Sequence, residues 1–193
     1  MEETSAGGDR RRTAEQPPST AEGVPKKRLR VMVAVDESDA SLYALKWTLS
    51  NLFNKPAGGE DPEVEPDPEQ GMVTVVHVVQ PFERYTFPAE AAMYTSASMV
   101  ESVRKAQRQT AAQLVSRAFQ VCKETKIKAE TLILEGDPKE MICQAVEEMH
   151  FDLLVLSSRG FGAIKRALLG SISDFCAHHA KCPVLIVKPP GHK

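Results

Sequence analysis

Residues 151–173 read FDLLVLSSRGFGAIKRALLGSIS, and the order of residue types implies a strand, a loop and a helix in succession. Leu153, Leu154, Val155 and Leu156 form a continuous apolar run. That suits a strand covered on both faces, because a surface strand would alternate polar with apolar positions. The run stops at Ser157, Ser158, Arg159 and Gly160, with a second glycine at Gly162, so the backbone there can take a positive φ or let a ligand approach closely. Nine residues separate Gly160 from Gly170. Ser171, Ile172 and Ser173 then open an apolar-periodic segment that is expected to be helical, with Ser171 or Ser173 as its cap.

A buried strand, a glycine loop and a Gly-Ser helix start together outline a phosphate cradle, since unpaired N–H groups and the helix dipole both favour an anion. Lys165 and Arg166 add positive charge nearby. The same glycines also fit a plain turn and a break between two helical segments, and loose glycine spacings are common. Spacing alone puts phosphate binding slightly ahead.

The segment resembles the nucleotide loop of the universal stress protein family, in its plant-type, ATP-binding-motif subgroup. That loop has glycine, two residues, glycine, nine residues, then glycine and serine or threonine. Gly160, the nine residues 161–169, Gly170 and Ser171 match its second half, and the place of the first glycine falls on Ser157. A serine there still offers its N–H and adds a hydroxyl.

Composition bounds the remaining choices. The 193 residues are 42% hydrophobic, enough for one domain with a sizeable core. Lysines and arginines number 24 against 26 acids, a balance that argues against nucleic acid or an anionic membrane as partner. Cys122, Cys143, Cys176 and Cys182 are scattered through apolar patterns, and no secretory signal opens the chain, so a reducing cytoplasmic setting is expected. No apolar run approaches a membrane span, which predicts a soluble chain. In the run CAHHAKC, Cys176, His178, His179 and Cys182 have no second ligand pair elsewhere, so helix-end packing is expected there rather than zinc.

Residues 1–28 are rich in Ser, Gly, Pro and charge and predict a disordered tail. Its clusters Arg10, Arg11, Arg12 and Lys26, Lys27, Arg28 leave a nuclear address open, although interspersed acids favour a solvated linker. The run 29–35, LRVMVAV, predicts a strand that leads into a helix start at Asp36, Glu37, Ser38 and Asp39. Asp36 thereby stands at a strand's carboxyl end, where open α/β sheets bind ligands, and fits a ribose contact and a simple turn acid equally well. Leu42, Leu45, Leu49 and Leu52 predict an amphipathic helix over 41–53, with Trp47 in the core. Residues 55–71 read as an acidic mobile loop.

A second buried strand is expected at 72–79, where His77 stands among valines as a structural residue. Residues 80–98 show no clean period and read as a loop or an irregular helix start over the site. A long helix follows over 99–122, its buried face carrying Val100, Val103, Leu114, Val115, Ala118, Phe119 and Cys122. A third strand is expected over 128–134, and Asp137, Pro138 and Glu140 mark a strong helix start. The last strand is 183–188, and 190–193 should fray. Alternating strands and helices predict an α/β fold: an open, mostly parallel sheet with helices on both faces.

The resemblance extends over residues 29–189 and implies more. It implies a Rossmann-like sheet of five strands in the order 3-2-1-4-5 and a homodimer paired through the last strand, Val184 to Val187. It implies ATP or AMP, alone or with magnesium, as the bound molecule. The site it implies comprises Ala34, Val35, Asp36, Val78, Leu156, Ser157, Arg159, Gly160, Gly170, Ser171, Ile172 and Ser173. In it Asp36 holds ribose, the backbone of Val78 meets adenine, and Gly160, Gly170, Ser171 and Ile172 supply phosphate donors. A stress-response sensor or signalling role follows from the family alone.

Two alternatives compete with nucleotide binding. A slow ATPase or phosphotransferase needs a Gly-Lys-Ser/Thr loop or a second acid, and the sequence offers neither, which limits the expected chemistry to weak hydrolysis. A ligand-free interaction or chaperone-like dimer draws support from Ser157, whereas Asp36, Gly160, Gly170 and Ser171 count against it.

Overall fold

The computed structural model describes residues 28–53, 71–81, 96–158 and 169–190. The expectations for the amino tail, the acidic loop, Arg159, Gly160, the basic pair at 165 and 166 and the last three residues therefore lie outside the described residues. The described elements are β1 (Arg30–Ala34), α1 (Asp39–Thr48), β2 (Met72–Val79), α2 (Ala97–Glu124), β3 (Ala129–Glu135), α3 (Pro138–Glu148), β4 (Leu153–Ser157), α4 (Ser171–His179) and β5 (Val184–Val187). The strands form one parallel sheet in the order β3-β2-β1-β4-β5.

Register explains why the strands read as unbroken apolar runs. Val31 and Val33 stand beside Val73 and Val75 of β2 on one side, and beside Leu153 and Val155 of β4 on the other. Their side chains enter the core beneath α1 and α2, with Leu42, Leu45, Leu114 and Ala118. Met32, Val76, Leu154 and Leu156 alternate to the opposite face, where Ile142 and Val146 of α3 and Cys176 of α4 cover them. Both faces of β1, β2 and β4 are covered, so period-two alternation places apolar groups at nearly every position there, whereas the edge strand β3 exposes Glu130, Thr131, Ile133 and Glu135.

Two expectations about helices are corrected. The helix expected over 41–53 is α-helical only to Thr48, and residues Leu49–Phe53 widen into a π-helical turn. The extra residue in that turn rotates the end of the helix by one position, so Phe53 is buried while Leu52, expected on the inner stripe, is exposed. In α2 the buried stripe starts only at Ala111; Val100 and Val103 are half-buried and Met99 is exposed.

The connections place a crevice. From β1 the chain passes over one face to β2, and from β4 it passes over the other face to β5. The carboxyl ends of β1 and β4 thus diverge at the switch point of the sheet, where open α/β sheets leave room for a ligand.

Candidate functional site

A cavity of about 260 Å³ opens at that switch point. Its size suits part of a small organic molecule, not a macromolecule. Ala34, Val35 and Asp36 reach it from β1 and the turn beyond, Val76, His77 and Val78 from β2, and Leu156 and Ser157 from β4. Gly170, Ser171, Ile172 and Ser173 close it from α4, Ser41 from α1, and Pro138 and Ile142 from α3. One wall is thus aliphatic, and the other presents hydroxyls, a carboxylate and a helix start.

Asp36 is fixed by its own turn. Its Oδ1 accepts from the Ser38 N–H at 3.1 Å and from the Ser38 hydroxyl at 2.5 Å. Ser38 is in turn the N-cap of α1, its Oγ accepting from the Ser41 N–H. Ser41, almost fully buried, accepts from the Asp36 N–H at 3.1 Å, and its hydroxyl lies 2.9 Å from the carbonyls of Asp36 and Ser38. Asp36 is therefore a turn acid that also lines the cavity, and the two readings of its sequence context are compatible.

Val35 is held from the β2 side. Its N–H donates to the Val76 carbonyl at 2.9 Å, and its carbonyl accepts from Nδ1 of His77 at 2.9 Å. A carbonyl can only accept, so this bond assigns the proton to Nδ1. His77 is structural, as its valine surroundings imply, and it also lines the cavity.

The α4 start differs from expectation. Neither Ser171 nor Ser173 caps it: the N-cap is Gly170, with no side-chain cap bond. Ser173 instead donates its hydroxyl to the Ser157 carbonyl at 2.7 Å, and both residues are buried. The Gly170 N–H donates to the Ser158 carbonyl at 2.8 Å, and the Ser158 N–H to Val187 at 2.9 Å. Ser158 and Gly170 are thus tied together beside β5, and the Gly170 N–H is engaged rather than aimed at a ligand. The amides left to face an anion are those of the first helical turn, which have no partner within an α-helix. Ser171 and Ile172 lie there.

The start of α3 turns toward the same cavity. Asp137 caps it, its Oδ1 accepting from the Lys139 N–H at 2.8 Å, and Pro138 follows at the first turn. Two helix dipoles thus converge with their positive ends on one cavity.

The CAHHAKC residues diverge. Cys176 is buried beneath α3, while His178 and His179 are exposed and place Nδ1 against the carbonyls of Asp174 and Phe175, at 2.8 Å each. His179 also stacks on Phe175. Among the described residues no group of three or more His, Cys, Asp or Glu could hold a metal ion, and no helix is long and apolar enough to cross a membrane.

The sequence profile of the universal stress protein family matches residues 27–188. The chain belongs to the universal stress protein family. The universal stress protein A-like protein of Arabidopsis thaliana is 29% identical over 168 residues, 82% of this chain and 89% of its own length. Among solved structures, universal stress protein UspA from Lactobacillus plantarum superposes with a TM-score of 0.63 at 21% identity, covering 82% of this chain and 97% of that one. A universal stress protein family member of Arabidopsis thaliana, solved with AMP bound, is 25% identical with a TM-score of 0.55, covering 84% of this chain and 93% of its own.

In this universal stress protein chain the structure brings all the expected site residues that are described into one cavity: Ala34, Val35, Asp36, Val78, Leu156, Ser157, Gly170, Ser171, Ile172 and Ser173. Ser41, Val76, His77, Pro138 and Ile142 also line it and were not foreseen there. Ser41 carried a signal, as the third residue after a capping serine. Pro138 and Ile142 carried only the signal of a helix start, since nothing local reveals that α3 crosses back over β2 and β1.

Proposed function

We propose that this chain is an adenine-nucleotide-binding module, taking ATP or AMP, within the stress-response role of its family. The observation that carries the reading is the meeting of three features in one cavity: an aliphatic wall, the oriented carboxylate of Asp36, and the α4 amino terminus capped only by a glycine. The AMP-bound relative supports it. Ala34, Val35, Val78 and Leu156 enclose the base, Asp36 accepts from the ribose hydroxyls, and the Ser171 and Ile172 amides take phosphate oxygens. Ser157 and Ser173 hold β4 and α4 in register beneath it. The family resemblance adds Arg159 and Gly160, which lie outside the described residues, to the phosphate side, and ATP is taken alone or with magnesium.

Binding ranks ahead of catalysis. Asp36 is the one carboxylate among the described residues that line the cavity, and its turn already engages it. Hydrolysis would also require a group that positions the attacking water. A homodimer through β5 fits the sheet order, because β5 is an edge strand whose Val184, Leu185 and Ile186 are half-buried. A second copy would cover that edge.

The test is calorimetric titration of nucleotide-stripped protein with ATP and with AMP, magnesium present, beside Gly170→Val. Saturable binding by the parent that disappears in the variant is the expected result. A folded parent that binds neither nucleotide, or a variant that binds as the parent does, would overturn the reading.

A further inference from the structure

The second core holds a thiol pair outside the cavity. Cys143 of α3 and Cys176 of α4 place their Sγ atoms 3.8 Å apart, in contact and 33 residues apart in sequence. Cys176 is fully buried, whereas Cys143 is half-buried. Cys182, just before β5, packs on the same cluster but turns its thiol toward the Pro183 carbonyl at 3.3 Å. Cys176 stands five residues beyond Ser171, about 7.5 Å along the same helix.

We propose that Cys143 and Cys176 are an oxidisable pair that closes to a disulfide under a hydroperoxide and thereby displaces the amino terminus of α4. A disulfide holds its sulfurs at about 2.05 Å, so closure brings these two about 1.8 Å nearer, by rotation of the side chains together with movement of α4 against α3. The more accessible Cys143 reacts first. Its thiolate attacks the peroxide, the O–O bond breaks, and a sulfenic acid forms with release of hydroxide or alkoxide. The Cys176 sulfur then attacks that sulfenic sulfur, the S–O bond breaks, and the Cys176 proton leaves with the hydroxyl as water. Two thiols lose two electrons in all, and the peroxide gains them. Burial, and then the neighbouring Cys143, push the Cys176 thiol up, which disfavours its thiolate and leaves the first attack on the peroxide to Cys143. The consequence for ligand binding rests on the nucleotide reading: shifting α4 takes the Ser171 and Ile172 amides out of position.

The experiment treats the full chain with hydrogen peroxide and maps its peptides by mass. Amide exchange at residues 171–173 and ATP affinity are then read in the reduced and oxidised forms. Expected are a Cys143–Cys176 bridged peptide, faster exchange at the α4 start, and ATP binding weaker by about tenfold, within the usual range of coupling between sites. Dithiothreitol should restore all three, Cys182→Ser should respond as the parent does, and Cys143→Ser and Cys143→Ala should be insensitive. A bridge to Cys182, no bridge at all, or a bridged protein with unchanged exchange would overturn the proposal. If the reduced protein binds no ATP, the nucleotide reading fails by itself, and the bridge and the exchange rates still decide the thiol pair.

Discussion

The Asp36 carboxylate ties its own turn and faces the cavity, and two substitutions separate those duties. Asp36→Asn keeps an oxygen for the Ser38 N–H, now 3.1 Å from Oδ1, but removes the charge. Asp36→Ala removes the acceptor of both Ser38 bonds. Hydrogen bonds to a charged group contribute about 1.5–3 kcal/mol and neutral ones about 0.5–1.5 kcal/mol, so Asn should weaken ribose binding by about 1–1.5 kcal/mol. That is about five- to tenfold in Kd, given that about 1.4 kcal/mol is a factor of ten. Ala should lose about 1.5–3 kcal/mol of binding and also about 1 kcal/mol of stability, because the helix start loses an acceptor. The Ser38 cap itself survives in both, since the Ser41 N–H still has its hydroxyl. Titration with ATP gives the first quantity and urea unfolding the second. If Asn binds ATP as tightly as the parent, Asp36 does not hold the ligand. If Ala loses stability but no affinity, it is a turn acid alone.

Other substitutions probe the frame around the site. Thr74 is buried in β2, and its Oγ1 has no hydrogen-bond partner among the described residues. Thr74→Val should therefore stabilise by about 1 kcal/mol and raise Tm by about 2–4 °C; a lower Tm would reveal a partner for that hydroxyl. A methyl at Gly71 would press on the backbone carbonyl of Leu29, which accepts the Met72 N–H at 2.8 Å. Gly71→Ala should cost about 1–3 kcal/mol in denaturant unfolding, and a neutral result would show that the approach of β1 to β2 relaxes freely. Burial pushes the Cys122 thiol up from 9.0 to about 11. Above pH 9 the unfolded chain loses this proton while the folded chain keeps it, so stability is complete below pH 9 and falls toward pH 11. The slope is about 1.4 kcal/mol per pH unit for one proton. Cys122→Ala should flatten that alkaline slope in urea unfolding series, and an unchanged slope would remove Cys122 as its source.

The fold was legible because both faces of the central strands are covered. Leu153 to Leu156 and the run 72–79 have no polar alternation to suggest a surface strand, and the Asp137-Pro138 helix start is wholly local. The features that escaped the sequence depend on geometry between distant segments. The π-helical turn at Leu49–Phe53 accompanies the burial of Phe53, and a leucine at every third or fourth position cannot report it. The Gly170 amide looked available as a phosphate donor because its acceptor, the Ser158 carbonyl, lies twelve residues earlier in the chain. Likewise Ser173 fits the composition of a cap, yet its hydroxyl is drawn to the Ser157 carbonyl in the buried seam between α4 and β4. The cavity residues contributed by α3 needed the strand order before they could be placed beside β1.

The most direct test tracks backbone amide resonances of the nucleotide-stripped chain during titration with ATP and with AMP. The account predicts that the largest shifts fall on Ser171 and Ile172, with smaller ones at Asp36 and Val78, and that Gly170→Val abolishes them. Saturable nucleotide binding that leaves the Ser171 and Ile172 amides unmoved would contradict it, because the ligand would then lie away from the α4 amino terminus.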